Sequence, residues 1–206
     1  MVSAVQRRDF ALQRVTWAVN AGKRSMWIGI LGDSHDHLDY IRRAVELFNR
    51  AECQQVIHAG DLMSPIALPA FRKLRCPMQA VFGDNEGNRS GLKAGFGILG
   101  TLQDPPLEIV TSDGRRIVVV HQRNEWTFKE HPDPIDLFVF SHTHRPFLKR
   151  KNGTLWLNPG ETCGWVFGNP TVALYDTEKN EAHIVSLDPP LADIPLSDIL
   201  SRSPSS

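Results

Sequence analysis

The sequence predicts an α/β protein in which two sheets pack face to face with helices outside. Three observations carry this expectation. The first half of the 206-residue chain alternates apolar strand-like runs with amphipathic helical segments. The second half is a series of short strands joined by hairpin signals. Successive strands end in Gly-Asp or in histidine, a habit of chains that build a site at the strand ends.

The first strand is Trp27-Ile28-Gly29-Ile30-Leu31, a short apolar run closed by Gly32-Asp33. Leu38, Ile41, Val45 and Phe48 then recur at helical spacing, with Arg42, Arg43 and Glu46 between them. Gln55–His58 is a second strand ending in Gly60-Asp61. Pro65–Leu74 reads as a second helix, since proline is tolerated in a first turn. Met78–Phe82 is a third strand ending in Gly83-Asp84. Strand, helix, strand, helix, strand implies βαβ units and parallel pairing. Beyond them, Leu107–Thr111 and Arg116–His121 flank Ser112-Asp113-Gly114, a hairpin turn. Ile135–Phe140 runs into Ser141-His142, and Phe147–Lys149 and Thr154–Leu157 flank Asn152-Gly153. Thr171–Asp176 and Ala182–Ser186 close the strand-rich half.

Composition narrows the function classes. Lys+Arg and Asp+Glu both number 23, which argues against generic nucleic-acid binding. Three cysteines, Cys53, Cys76 and Cys163, make no disulfide framework and predict a reducing, cytoplasmic setting. No apolar run approaches the ~20 residues of a membrane helix. Residues 1–25 carry Arg7, Arg8, Arg14, Lys23 and Arg24 against Asp9 alone and are expected to be an extension, as a surface helix or a frayed arm. Arg7-Arg8 lacks the apolar stretch of an export signal, and Met26 directly precedes the first strand as an alternative start. Residues 26–187 form the expected domain, and the proline- and serine-rich segment 188–206 a surface-hugging or disordered tail.

Function is signalled by where the polar residues fall. Asp33, His35, Asp61, Asp84, His121, His142 and His144 all stand at strand ends. One such aspartate is ordinarily a turn residue and one such histidine structural. The same habit at five strand ends points instead to a cluster that cations would pair. Their donor types suit a borderline divalent metal such as manganese, iron or zinc. Asp33-x-His35 and His142-x-His144 would each direct two side chains to the same side in extended backbone. Seven donors exceed the needs of one ion and suit two ions sharing a carboxylate.

Gly32-Asp33-Ser34-His35, Gly60-Asp61, Gly83-Asp84-Asn85-Glu86, His121, Ser141-His142-Thr143-His144 and Asn158-Pro159-Gly160, in this order, resemble the calcineurin-like metallophosphoesterases. The chain is most similar to their small bacterial and archaeal phosphodiesterase branch, which also contains the retromer subunit Vps29. The resemblance implies a four-layer αββα sandwich of two mixed sheets flanked by helices. It also implies a metal-dependent phosphohydrolase, a phosphodiesterase in the first instance, acting on a small phosphate ester. Asp33, His35 and His144 would hold one ion, Asp61 would bridge, and Asp84, His121 and His142 would hold the other. Two divalent ions are implied, manganese first, with iron, zinc or nickel as alternatives. A hydroxide held between them would attack phosphorus in line with the departing ester oxygen.

Departures from the family pattern qualify the role of single residues. Asp84 stands where the family usually has asparagine, and in this it resembles Vps29. Asn85 stands where many relatives carry a histidine that assists the leaving group; an amide can hydrogen-bond phosphate but has no useful acid pKa. Arg123 and His37 are the candidate substrate contacts, Arg123 as a fork donor to phosphate. Ser141 and Glu161 replace a common glycine and serine. Trp126 and Trp165 follow site loops and could stack on a base or aryl group. Specificity is expected in loops 86–106 and 122–134. The competing expectation is a Vps29-like binding scaffold with a retained, weakly active metal site; it would require an exposed apolar patch away from the metals. Homo-oligomer formation stays open at this point.

Overall fold

A computed structural model describes residues 15–16, 26–129 and 133–201. In chain order these form β1 (Val15–Thr16), β2 (Trp27–Leu31), α1 (Leu38–Arg50), β3 (Gln55–His58), α2 (Leu68–Phe71), β4 (Met78–Val81), α3 (Arg89–Phe96), β5 (Gly100–Gln103) and β6 (Leu107–Val110). Then follow β7 (Arg116–Val119), β8 (Leu137–Val139), β9 (Phe147–Lys151), β10 (Thr154–Asn158), β11 (Thr171–Asp176), β12 (Glu181–Ser186) and α4 (Leu196–Ser201). Two six-stranded sheets result, in the orders β12-β11-β2-β3-β4-β5 and β1-β6-β7-β8-β10-β9. The stretch β2-β3-β4-β5 is parallel, as βαβ units require, and β11 and β12 add antiparallel edges. The second sheet is likewise mixed.

Strand alternation sorts the apolar residues into layers. Ile28, Ile30, Ile57 and Val81 of the first sheet meet Ile109, Ile117, Val119, Leu137, Val139 and Leu157 of the second, forming the core between the sheets. Leu31, Val56, Met78 and Ala80 face the other way and receive Ile41, Val45 and Phe48 of α1, with Phe71, Leu92 and Phe96. The outer face of the second sheet is covered differently. Trp126 and Phe128, following a 3-10 turn at Arg123–Glu125, pack on Phe138, Phe140 and Trp156. The expected sandwich of two mixed sheets flanked by helices is thus the architecture found, with an aromatic layer and a short turn over one face.

Several expectations need correction. Pro65–Leu74 is not one helix: a 3-10 turn at Pro65–Ala67, capped by Ser64, gives way to the four residues of α2. Pro69 lies within this segment and cannot donate a helical N–H, so the first turn cannot run on. The segment 86–106, expected as a loop, contains α3 and β5. Asn88 caps α3 through Gly91 N–H, and Leu92 and Phe96 bury one face. The tail is anchored as far as Ser201: the Arg50 guanidinium donates to the carbonyls of Leu191 and Ile194, and Ile199 of α4 enters the helix-side core. Val15–Thr16 adds a parallel edge strand to β6. The remainder of the expected 1–25 extension, apart from Val15–Thr16, and residues 202–206 lie outside the described residues. Among the described residues no helix is long and apolar enough to cross a membrane.

Candidate metal centre

All seven strand-end donors come together where β2, β3, β4, β7 and β8 end. The donor atoms of Asp33, His35, Asp61 and His144 lie within 4.8 Å of one another, and so do those of Asp84, His121 and His142. Asp61 links the two groups. Its Oδ2 is 3.4 Å from His35 Nε2, and its Oδ1 is 3.5 Å from His121 Nε2. The buried carboxylate thus turns one oxygen toward each cluster.

The backbone reason differs from the extended geometry expected of Asp33-x-His35 and His142-x-His144. Asp33, His35, Asp61, His142 and His144 all have positive φ, between 40° and 68°. They sit in tight left-handed turns, a conformation that costs L-residues about 1 kcal/mol or more each. Consequently His142 and His144 do not share a cluster: His144 faces His35, with Nε2 atoms 3.3 Å apart, while His142 Nδ1 faces Asp84 and His121. The glycines before the aspartates have a separate reason. A Cβ on Gly83 would lie 2.2 Å from Asp61 Oδ1, and one on Gly60 (φ 99°) would lie 2.4 Å from His121 Nδ1.

The donor set fits divalent ions on three counts. Two nitrogens about 2.1 Å from one ion, at tetrahedral or octahedral angles, are roughly 3.0–3.4 Å apart. The observed separations of facing ring nitrogens match that spacing. Asp33 Oδ2 is buried without a hydrogen-bond partner among the described residues, so it lacks the compensation a buried carboxylate oxygen needs. Burial accordingly pushes the Asp33 pKa up to about 6, and a cation would reverse that. The rings are also oriented for ligation. His144 Nδ1 is 3.0 Å from Glu161, which leaves Nε2 turned to the cluster. His121 Nδ1 faces the Ala59 carbonyl and Ser141 Oγ, each at 2.9 Å, which leaves Nε2 turned to its cluster, 2.7 Å from Asp84 Oδ1.

Electrostatics follow the same map. Burial lowers the His35 pKa. Burial acts in the same direction on His121, but the Asp61 charge and neighbouring hydrogen bonds outweigh it and raise the value. For Asp84 burial is outweighed by His121 and His142, and its pKa falls.

Two acceptors that residue spacing does not reveal hold this arrangement. Glu161, wholly buried, accepts from His144 and from the backbone N–H groups of Val166 (2.8 Å) and Phe167 (2.7 Å). Burial by itself would raise its pKa; these hydrogen bonds prevail and lower it. Glu86 Oε1 accepts from the N–H groups of Asp61, Leu62 and Gly83, clamping the loops after β3 and β4. The only sequence signals for the pair are the Glu after Asn85 and the departure at 161.

The other candidates are placed as follows. Asn85 lies on the linking carboxylate, its Nδ2 donating to Asp61 Oδ2 at 2.8 Å and its N–H to Oδ1 at 3.1 Å. His37 lies between Tyr40 and Trp165, with ring centroids 4.6 and 5.7 Å away. Arg123 is exposed, its guanidinium over the Phe140 ring rather than in either cluster. Trp126 is a core residue, which removes it as a stacking group. His58 is buried, bonded to Ser34 Oγ at 2.9 Å and packed edge-on to Phe71. Cys163 Sγ joins His35 and His144 in a third, overlapping group, with burial holding its thiol up to about 11.

Comparison with known proteins agrees with this geometry. A family model described as the calcineurin-like phosphoesterase superfamily domain matches residues 26–180. A phosphodiesterase of Methanocaldococcus jannaschii is 33% identical over 172 residues, covering 79% of this chain and all of the relative. A probable metallophosphoesterase of Methanothermobacter thermautotrophicus is 26% identical, covering 81% and 95%. Among solved structures, an archaeal phosphodiesterase superposes with a TM-score of 0.73 at 32% identity, covering 79% of this chain and 100% of that one. The fold is shared at 18% identity with the Escherichia coli phosphoesterase YfcE (TM-score 0.56; 74% and 89% covered) and with zinc-complexed Vps29 of Entamoeba histolytica (TM-score 0.55; 82% and 95% covered). With two candidate metal clusters at the strand ends and a family match across most of its length, this chain belongs to the calcineurin-like metallophosphoesterase superfamily, in its archaeal phosphodiesterase branch.

Proposed function

We propose that this protein is a metal-dependent phosphodiesterase whose catalytic domain is residues 26–187, working in the cytoplasm with two Mn²⁺ ions on a small phosphate diester. The observation that carries the reading is the Asp61 carboxylate with one oxygen toward each histidine-containing cluster. In this reading Asp33, His35 and His144 hold one ion, Asp84, His121 and His142 the other, and Asp61 both. When bound, such a pair lowers the pKa of water at the site and supplies positive charge to the phosphoryl oxygens.

The chain's own residues do the rest. Glu161 takes the Nδ1–H of His144, and Ala59 O and Ser141 take that of His121, so each ring keeps a lone pair on the centre. Asn85 orients Asp61 through its amide. That amide cannot protonate a departing oxygen, which favours esters whose leaving group departs as a stabilised anion. Phosphate contacts are assigned to His37, beside Trp165 near His35, and to Arg123, whose exposed guanidinium rests on the Phe140 ring outside the two clusters.

The binding-scaffold alternative asks for an apolar patch away from the clusters. Among the described residues the run of exposed large apolar side chains Trp165–Phe167 lies beside His35 and His37, at the clusters rather than away from them. This distribution supports the enzyme. The test is hydrolysis of bis-p-nitrophenyl phosphate with added Mn²⁺, beside His142→Ala. Turnover that a chelator abolishes and the variant lowers at least 100-fold is expected. Turnover absent with every divalent ion tried, or surviving in the variant, overturns the reading.

A further inference from the structure

The loop after β10 carries a feature that the metal chemistry does not use. Gly164 and Gly168, both with positive φ (63° and 68°), bracket Trp165-Val166-Phe167. All three side chains are exposed, Trp165 by 62%. Three large apolar residues in one run on the surface cost solubility and mark a contact site. This run is also held in place: the buried Glu161 carboxylate accepts the N–H groups of Val166 and Phe167 while binding His144 with its remaining capacity. The platform and one cluster therefore share an anchor.

Ring geometry ties the run to the centre. The Trp165 indole is stacked with the His35 ring (centroids 6.2 Å, planes 29° apart), and His35 is stacked in turn with His144 (5.0 Å, 22°). His37 tilts against the indole at 5.7 Å, and the Arg145 guanidinium caps Phe167 at 4.7 Å. An exposed indole one ring away from the candidate ligand His35 is within reach of whatever a metal-held phosphate carries.

We propose that Trp165 is a specificity-determining platform on which a flat aromatic group of the phosphodiester substrate stacks while its phosphate is held at the metal clusters. This rests on the phosphodiesterase reading above. The flat group is an aryl ring or a nucleobase, since both present the same apolar face to an indole. Stacking of this kind is worth roughly five- to 150-fold in affinity.

The test is calorimetric and needs no turnover. Mn²⁺-loaded full-length protein is titrated with methylphosphonate, phenylphosphonate and adenosine monophosphate. Either aromatic ligand should bind the wild type about tenfold more tightly than methylphosphonate; an advantage for phenylphosphonate alone identifies an aryl substrate, and one for the nucleotide alone a nucleobase. Trp165→Ala should remove the advantage and Trp165→Phe should retain most of it, with thermal melts checking that both variants fold. Equal affinities in the wild type, or an advantage that survives Trp165→Ala, overturn the platform and leave the run to a protein partner. If methylphosphonate also fails to bind the loaded wild type, the metal-site reading itself has failed, and the platform with it.

Discussion

Replacing Glu161 should loosen one metal and leave the other in place. The carboxylate is buried, and it holds His144 Nδ1 at 3.0 Å and two backbone N–H groups at 2.7–2.8 Å. Glu161→Ala frees the His144 ring to rotate and to lose the tautomer with a lone pair on Nε2. A hydrogen bond to a charged acceptor is worth about 1.5–3 kcal/mol, and loss of a group that orients a ligating histidine costs roughly 10–100-fold in metal affinity. The two figures agree, since a tenfold change is about 1.4 kcal/mol. The released N–H groups belong to exposed Val166 and Phe167 and can turn to water, so their loss adds little. Total destabilisation of about 2–3 kcal/mol would lower the melting temperature by roughly 4–12 °C in a chain of this size. Glu161→Gln keeps an acceptor for His144 but presents an NH₂ where the second carboxylate oxygen was, and should fall between. Titration of the metal-free protein with Mn²⁺ reads both binding steps. One step should weaken 10–100-fold in the alanine variant while the other changes less than threefold. A variant that melts earlier yet binds both ions as the wild type does would show that Glu161 supports only the loop, and would refute the reasoning.

Other expectations follow from single residues. Burial depresses the His58 pKa to about 3, so the unfolded chain binds the extra proton and stability is lost as pH falls from about 6.5 toward 3. Between pH 7 and 5 this amounts to about 2 kcal/mol; urea denaturation of the metal-free protein should show less acid sensitivity in His58→Gln, while Asp33, whose pKa is raised by burial, acts with the opposite sign in both proteins. Gly60→Ala should displace His121 and lower bound metal from two equivalents toward one by elemental analysis; unchanged stoichiometry would contradict the close approach of that backbone to the ring. Asn85→His should raise the ratio of phenyl phosphate to bis-p-nitrophenyl phosphate hydrolysis at least tenfold, because an imidazole can protonate the poorer leaving group; a constant ratio argues that position 85 does not meet the departing oxygen. Arg116→Met strands the buried Glu108 carboxylate that Arg116 now holds at 2.8 Å, and should cost about 3–5 kcal/mol in chemical denaturation.

How much of this was legible beforehand depended on how local the cause was. The βαβ alternation, the position of α1 and the hairpins follow from residue periodicity and turn chemistry within a few residues. The chemistry of the site was legible for a similar reason: aspartate and histidine at successive strand ends carry their donor type with them wherever they are placed. The shortened α2 could have been anticipated from Pro69. Asn88 and the Leu92–Phe96 spacing marked α3, but Gly91 and Gly95 weakened the helical pattern.

The chain's own order of residues determined which groups could bind metal and that strands would carry them to one edge. Only the packed sandwich decided the partition. His142 and His144, two residues apart, divide between clusters because left-handed turns aim them apart, and because β8 lies between β7, which brings His121, and β10, which brings Glu161. Asp61 became the link, and Trp126 went to the core while Trp165 stayed at the rim, for reasons of the same kind. Such partners are chosen by strand order and by the space left between two sheets, quantities that exist only once distant segments have met.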